Sequence, residues 1–243
     1  MSKKKRIHIG TSGWHYKHWS NKFYPKNLKT EQFFDYYLEK FKTVEINNSF
    51  YQLPKKSALQ QWNKKSGNNF IFSVKASRYI THVKKLKDPK ETTKKFFRAI
   101  KPLAKKIGPI LFQLPPAWKL NLERLENFLK VLPKDYKYSF EFRNQQWFDS
   151  QVYQLLEKHN ASFCIYDLAG TLSPKEVTAD FIYIRLHGPG EAYQGDYRKR
   201  KLRNWAKQFS RWQKKKKEIF CYFDNDQAGF AAKNALELKD LID

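Results

Sequence analysis

Eight short apolar runs recur along this 243-residue chain, and most are separated by stretches with helical periodicity. The runs are Ile7–Gly10, Thr43–Asn47, Phe70–Lys75, Pro109–Gln113, Tyr138–Arg143, Ser162–Asp167, Phe181–His187 and Ile219–Asn225. Helices are expected over Thr30–Phe41, Ser57–Lys65, Pro89–Lys105, Leu122–Val131, Ser150–Lys158, Arg198–Lys216 and Ala228–Leu241. The sixth connection, Leu168–Asp180, contains Ser173-Pro174 and reads as irregular. Strands joined by helices form parallel sheets, and a chain of about 250 residues is the usual size at which such a sheet closes on itself. The expected fold class is α/β, a single TIM-barrel domain of eight parallel strands over residues 1–243. The competing open sheet usually carries a Gly-rich phosphate loop. Gly10-Thr11-Ser12-Gly13-Trp14 lacks that spacing, and no G-x-x-x-x-G-K-[ST] occurs.

Within the runs one residue parity is apolar and the other turns polar toward the C-terminal end. Val44 and Ile46 alternate with Glu45 and Asn47; Phe140 and Phe142 alternate with Glu141 and Arg143; Ile184 and Leu186 alternate with Arg185 and His187. Barrel strands send alternate residues inward, and catalytic groups gather at the C-terminal ends. The pattern therefore lines the expected mouth with Glu45, Asn47, Lys75, Gln113, Glu141, Arg143, Asp167, Arg185 and His187. Burying so many polar groups without partners costs several kcal/mol each, so they pair with one another, with water or with a ligand. An ion-pair network such as Glu141–Arg185 is one way to fill that space.

Three of these, Glu45, Glu141 and Asp167, are acids or bases on different strands, and His187 joins them as a catalytic candidate. A glycosidase needs two such carboxylates about 5–10 Å apart. Trp14, Tyr16, Trp147 and Tyr193 are available to stack on a sugar or base. Glu45, Glu141, Asp167, His187 and Asp224 also supply oxygen and nitrogen ligands of the kind divalent metals take, although no H-x-H or H-E-x-x-H spacing requires one. Lys75, Arg143 and Arg185 favour an anion instead, because guanidinium forks clamp phosphate or carboxylate. The Gly188-Pro189-Gly190 turn follows the seventh run, where barrels commonly hold phosphate. Asp226 is expected to cap the last helix. The reading is a hydrolase acting at the C-terminal mouth on an anionic, phosphate-containing substrate, nucleotide-like or sugar-phosphate. Trp14, Tyr16, Asn47, Lys75, Gln113, Arg143, Arg185 and Asp224 are its expected substrate contacts.

Charge supports a second reading. The chain has 48 Lys+Arg against 23 Asp+Glu, a net +25. A non-enzymatic nucleic-acid-binding protein would use that surface, through Lys3–Arg6, Lys84–Lys87, Arg198–Lys201 or Lys214–Lys217. Only 10 of the 48 are Arg, however, and an excess of Lys, Asn, Phe, Tyr and Ile also arises from AT-rich coding sequence. No run approaches the roughly 18 apolar residues of a membrane span. Met1–Arg6 leads into only Ile7-His8-Ile9 before Gly10, so no secretory signal is read. Cys164 and Cys221 lie in strand-like runs as expected buried thiols, and a cytoplasmic location is expected.

Several segments together resemble the YecE-like family, domain of unknown function 72. They are Gly10-Thr11-Ser12-Gly13-Trp14-His15-Tyr16, Val44-Glu45-Ile46-Asn47-Asn48-Ser49-Phe50-Tyr51, Lys75 through His82, Phe112-Gln113-Leu114-Pro115-Pro116, Glu141-Phe142-Arg143, Arg185-Leu186-His187-Gly188 and Tyr222-Phe223-Asp224-Asn225-Asp226. The resemblance runs from the first strand to the last helix and implies a TIM barrel without an assigned reaction. Two places depart from the family pattern. Asn144-Gln145-Gln146-Trp147 stands where the family reads His-Pro-Ser-Trp, and Asp224 replaces the first Asn of Tyr-Phe-Asn-Asn.

Overall fold

Aromatic and β-branched residues make the strands, and polar or glycine-bearing segments end them. The computed structural model describes residues 7–242. Its strands are β1 (Ile7–Thr11), β2 (Thr43–Ile46), β3 (Ile71–Lys75), β4 (Ile107–Leu114), β5 (Tyr138–Phe142), β6 (Ser162–Leu168), β7 (Thr171–Leu172), β8 (Phe181–Leu186) and β9 (Glu218–Phe223). The helices are α1 (Phe33–Lys40), α2 (Asn48–Tyr51), α3 (Lys56–Lys65), α4 (Pro89–Ile100), α5 (Leu122–Val131), α6 (Ser150–Lys158), α7 (Lys199–Lys214) and α8 (Phe230–Asp240). Setting β7 aside, the eight expected strands lie in the order β1-β9-β8-β6-β5-β4-β3-β2. This is the α/β alternation and strand order of a (β/α)8 TIM barrel.

Two compact units make up the described chain, one from residues 7–45, 165–175 and 180–242, the other from 46–164 and 176–179. In the first, β9 pairs in parallel with β1, from Ile7↔Ile219 to Thr11↔Phe223, and with β8, from Phe181↔Glu218 to Leu186↔Phe223. Helix α7 buries Leu202, Trp205, Ala206, Phe209 and Trp212, a stripe at helical spacing. Tyr24 stacks on Phe33 at 4.0 Å, and Tyr37 donates to the Thr43 carbonyl at 3.0 Å. The high aromatic content is thus largely core.

In the second unit β4 pairs with β3 and β5. Phe112, Phe140 and Phe142 stack in sequence, and Trp147 lies on Phe142 at 4.8 Å. Pro109 cannot donate to a ladder, and the register shifts between Phe72 and Val74 beside it. Helices α5 and α6 have the bounds expected from sequence because Asn121 and Asp149 cap them, accepting from the Arg124 and Gln151 amides.

Departures from expectation have local causes. The helix expected over Pro89–Lys105 ends at Ile100 and continues as a 3-10 segment, Lys101–Lys106. Pro102 lacks an amide proton, and Ala104 sits at φ 51°. Thr30–Gln32 is likewise 3-10 rather than α. The Leu168–Asp180 connection is not wholly irregular: β7 folds back antiparallel on β6, pairing Asp167 with Leu172. Ala169 and Gly170 both have positive φ, the geometry a two-residue hairpin requires. Cys164 and Cys221 are buried free thiols. Among the described residues no helix is long and apolar enough to cross a membrane. The basic run Lys3–Arg6 lies outside the described residues.

Candidate active site at the strand ends

Glu45 enters its site because Val44 and Ile46 take the opposite parity of β2, and all four strand residues are buried. A carboxylate taken out of water needs several donors to offset its desolvation. Four reach it. Ser12 Oγ (2.7 Å), Arg185 Nε (3.1 Å) and Arg185 Nη2 (2.8 Å) donate to Oε1, and the Tyr183 hydroxyl donates to Oε2 at 2.7 Å. Tyr183 and Arg185 share one parity of β8, and Ser12 follows β1 in a bridge to Glu45. Glu45 is therefore saturated, which suits an anchor for Arg185 better than the general base expected from sequence.

Arg185 is 1% exposed. Besides Glu45 it donates from Nη2 to Asp224 Oδ2 at 3.0 Å, and its Nη1 lies 3.3 Å from His187 Nε2. Most of its fork is thus taken by protein groups, so the anion clamp expected from sequence loses support here. Arginine has no acceptor, so His187 Nε2 is the acceptor of that pair and Nδ1–H is the donor to Asp224 Oδ2, at 2.9 Å. The edge of Tyr193 meets the His187 ring at 5.3 Å. Asp224 itself stays 13% exposed.

Two positions further on, Asp226 does not cap the last helix as its spacing suggests. Helix α8 starts instead at Phe230, with Gly229 as its N-cap at φ 78°. Asp226 is left beside Asp224, and its carboxyl is pushed up to about 6, first by burial and then by the Asp224 charge; His18 opposes the shift. His18 Nε2 lies 2.6 Å from the Asp226 carbonyl oxygen and 3.7 Å from Oδ2. Tyr16 donates to the Ser12 carbonyl at 2.6 Å. Burial and then Asp224 and Asp226 hold its hydroxyl well above the usual tyrosine range.

Asp167 lies on the next strand of the same unit, its backbone carbonyl accepting from the His187 amide at 2.8 Å. Burial pushes its carboxyl up, against the pull of Lys201, whose Nζ is 3.6 Å from Oδ2. The Tyr197 hydroxyl accepts from the Gly188 amide at 3.1 Å and donates toward Asp167. Gly188 sits at φ +132°, and a Cβ there would lie 2.3 Å from the Gln194 carbonyl oxygen. The loop after β8 thus folds tightly back on itself. It borders a cleft of about 580 Å³ whose walls include Glu191, Asp196, Arg198, Arg200, Lys201 and Gln227, three cations against two carboxylates.

Trp14 packs its ring on Phe34 at 4.9 Å rather than joining this cluster. In the second unit the expected residues also sit at strand ends. Arg143 Nε donates to Glu141 Oε1, and the Cys164 thiol donates to Oε2 at 3.8 Å; Glu141 is fully buried. Gln113 pairs with Glu141 in the β4–β5 register. Lys75 Nζ lies over the Phe50 ring at 4.2 Å, and Asn47 is the N-cap residue of α2. Trp147, expected as a stacking platform, is wholly buried, and its indole N–H donates to the Trp118 carbonyl at 2.8 Å. Asn144, at the first departure from the family pattern, caps the turn over Gln145–Trp147 and donates to the Pro116 carbonyl.

Among the described residues no three His, Cys, Asp or Glu side chains gather as a set fit to hold a metal. His187 and Asp224 point at each other rather than at a common ion. Ser12 and Tyr197 were not among the expected site residues, nor was Asp226 as a titrating group; Tyr183 was not among them either, although it shares the parity of Arg185 and His187. The Asp-x-Asp spacing of Asp224 and Asp226 was the available signal for Asp226.

Comparison with known proteins places the chain. The sequence profile described as "Protein of unknown function DUF72" matches residues 8–243. The chain belongs to this family. Among the relatives of this DUF72 protein are two named UPF0759. It is 25% identical to YunF of Bacillus subtilis, over 98% of this chain and 95% of that protein. Similarity to YecE of Escherichia coli K12 is 32% over 113 residues, 46% of this chain and 42% of the relative. A solved DUF72 family protein from Thermotoga maritima superposes with a TM-score of 0.88 at 30% identity, covering 97% of this DUF72 chain and 98% of that one.

Proposed function

We propose that this DUF72 protein is a hydrolase that attacks a small phosphate-bearing substrate, with Asp226 as general base and Asp224 as the fixed carboxylate beside it. The observation that carries this reading is the contrast between the two. Asp224 accepts two N–H donors from buried partners, whereas Asp226 is half-buried near it with its pKa raised to about 6. Neighbouring titratable groups whose environments drive them apart are the usual mark of an acid/base pair, and a group titrating near neutrality transfers protons most effectively. Asp226 takes a proton from water as that water attacks, and Arg198, Arg200 and Lys201 hold the anion in the adjoining cleft. Gln227, next in the chain after Asp226, borders the same cleft, which supports this division of roles. Glu45 and Arg185 act as positioning residues that keep Asp224 and His187 in place.

A panel of phosphomonoesters and phosphodiesters, assayed with wild type, Asp226→Asn and an Arg198→Gln/Arg200→Gln double variant, tests the assignment. Turnover should rise through pH 6 in wild type and vanish in Asp226→Asn, while the double variant raises KM with kcat largely kept. Unchanged turnover in Asp226→Asn, or no turnover anywhere in the panel, would overturn it.

A further inference from the structure

A second cavity, of about 1200 Å³, lies in the other unit between α3, α4 and the 3-10 segment Lys101–Lys106. Its walls approach β3 and β4 from their N-terminal ends, because Ser66 and Asn68 precede β3 and Lys106 precedes β4. Barrel catalysis belongs to the opposite strand ends, so this groove serves a different purpose from the Asp224–Asp226 site.

Six of its fourteen wall residues are basic and none is acidic, whereas the whole chain has 48 basic residues in 243. The six are Lys56, Lys64, Lys95, Arg98, Lys101 and Lys106. Lys106 plays a structural part, since its Nζ donates to the Asn63 and Ser66 carbonyls and to Ser66 Oγ, and burial pulls its pKa down. The other five are exposed and take part in no ion pair or side-chain hydrogen bond among the described residues. Five like charges gathered in one concavity repel one another, and a concave wall focuses their field. A composition-biased surface would scatter them among acids, as elsewhere in this chain Lys84 meets Asp88 and Lys130 meets Glu126. None of the basic runs conspicuous in the sequence contributes to the groove, which draws on two separated stretches, residues 53–68 and 95–106.

We infer that this groove docks the phosphodiester backbone of a nucleic-acid duplex. Its size and charge exceed what a single phosphate would neutralise. The ten residues of α3 extend about 15 Å. One strand of a duplex presents about four phosphates over that length, at 3.4 Å each, a match for five cations. No aromatic side chain lines the groove. It therefore offers no stacking platform for unpaired bases, which single-strand binders rely on. Backbone contacts of this kind position a protein on a duplex without reading sequence.

The test uses the full chain and fluorescence anisotropy with 20-base-pair DNA and RNA duplexes between about 50 and 300 mM salt. One variant changes Lys56, Lys64, Lys95, Arg98 and Lys101 to Gln. A charge-matched control changes Arg203, Lys207, Arg211, Lys214 and Lys215, exposed residues of α7 and its end, to Gln. Circular dichroism and urea unfolding confirm that each variant folds, and Arg98→Gln alone serves if the fivefold variant does not. The groove variant should lose about a hundredfold or more in affinity near 100 mM salt, and its log K against log salt slope should flatten by about four; Arg98→Gln alone flattens it by about one. The control should keep both. Equal losses in the control, wild-type binding by the groove variant, tighter binding of single strands than of duplexes, or binding only to anionic lipid vesicles or polyglutamate would each refute the inference.

Discussion

Replacing Asp226 with Asn should stabilise the protein at neutral pH and leave it nearly unchanged in acid. The folded carboxyl titrates at about 6, against 3.8 for the free side chain. Folding is thus favoured by the protonated form, an advantage that is complete below pH 3.8 and is lost as pH rises through 6. Above that, the ionised group sits half-buried near Asp224 and weakens the fold by a constant amount. About two pH units at 1.36 kcal/mol each give about 3 kcal/mol. The side chain is 22% exposed, so water screens part of this, and about 2 kcal/mol is the expected size. Asparagine mimics the protonated form and removes the titration. Urea unfolding of both proteins at 25 °C, from pH 4 to 8, measures the difference. It should grow by about 2 kcal/mol between pH 4 and 7 and then level off. Any fixed cost of the substitution shifts the whole curve without changing that slope. A difference that stays constant with pH refutes the reasoning about Asp226. Asp224→Asn checks the cause: with the neighbouring charge gone, the transition should move toward lower pH but stop short of 3.8, because burial is the larger contribution.

Glu45→Gln leaves Arg185 buried with one charge partner fewer and should destabilise by about 3–5 kcal/mol in urea melts; a catalytic base without a structural role would leave stability nearly intact. Tyr183→Phe strips Glu45 Oε2 of its 2.7 Å donor and should cost about 1–3 kcal/mol, with a non-additive double mutant when combined with Glu45→Gln. Gly188→Ala forces a Cβ to within 2.3 Å of a backbone oxygen at positive φ. It should cost about 1–3 kcal/mol and make the segment 188–198 more open to limited proteolysis, and unaltered cleavage would contradict the tight loop.

Short-range chemistry made much of the fold legible. Apolar periodicity located all eight principal strands, and the N-caps Asn121 and Asp149 set two helices at their expected bounds. Parity alone placed Glu45, Arg185 and His187 on the buried polar side of their strands, since alternate residues of a strand face opposite ways. The Ala169-Gly170 hairpin escaped because its turn lacks the usual Asn or Asp signal, and the end of α4 because Pro102 acts beyond the helix's own periodicity.

Pairing and desolvation stayed hidden, because they depend on distances that residue order does not carry. Arg185 meets Glu45 from 140 positions away, and that contact, with Ser12, Tyr183, Asp224 and His187 around it, ties an expected catalyst to an expected anion clamp. The same holds for Asp226, whose pKa is raised by burial and by Asp224, and for the cationic groove, which assembles from two stretches well apart in the chain. Residue order was enough to say which side chains face inward and that many of them are polar, because strand parity is a local property. Which charges neutralise one another, and which stay available for a ligand, depends on through-space distance and loss of water, and both arise only when remote segments meet.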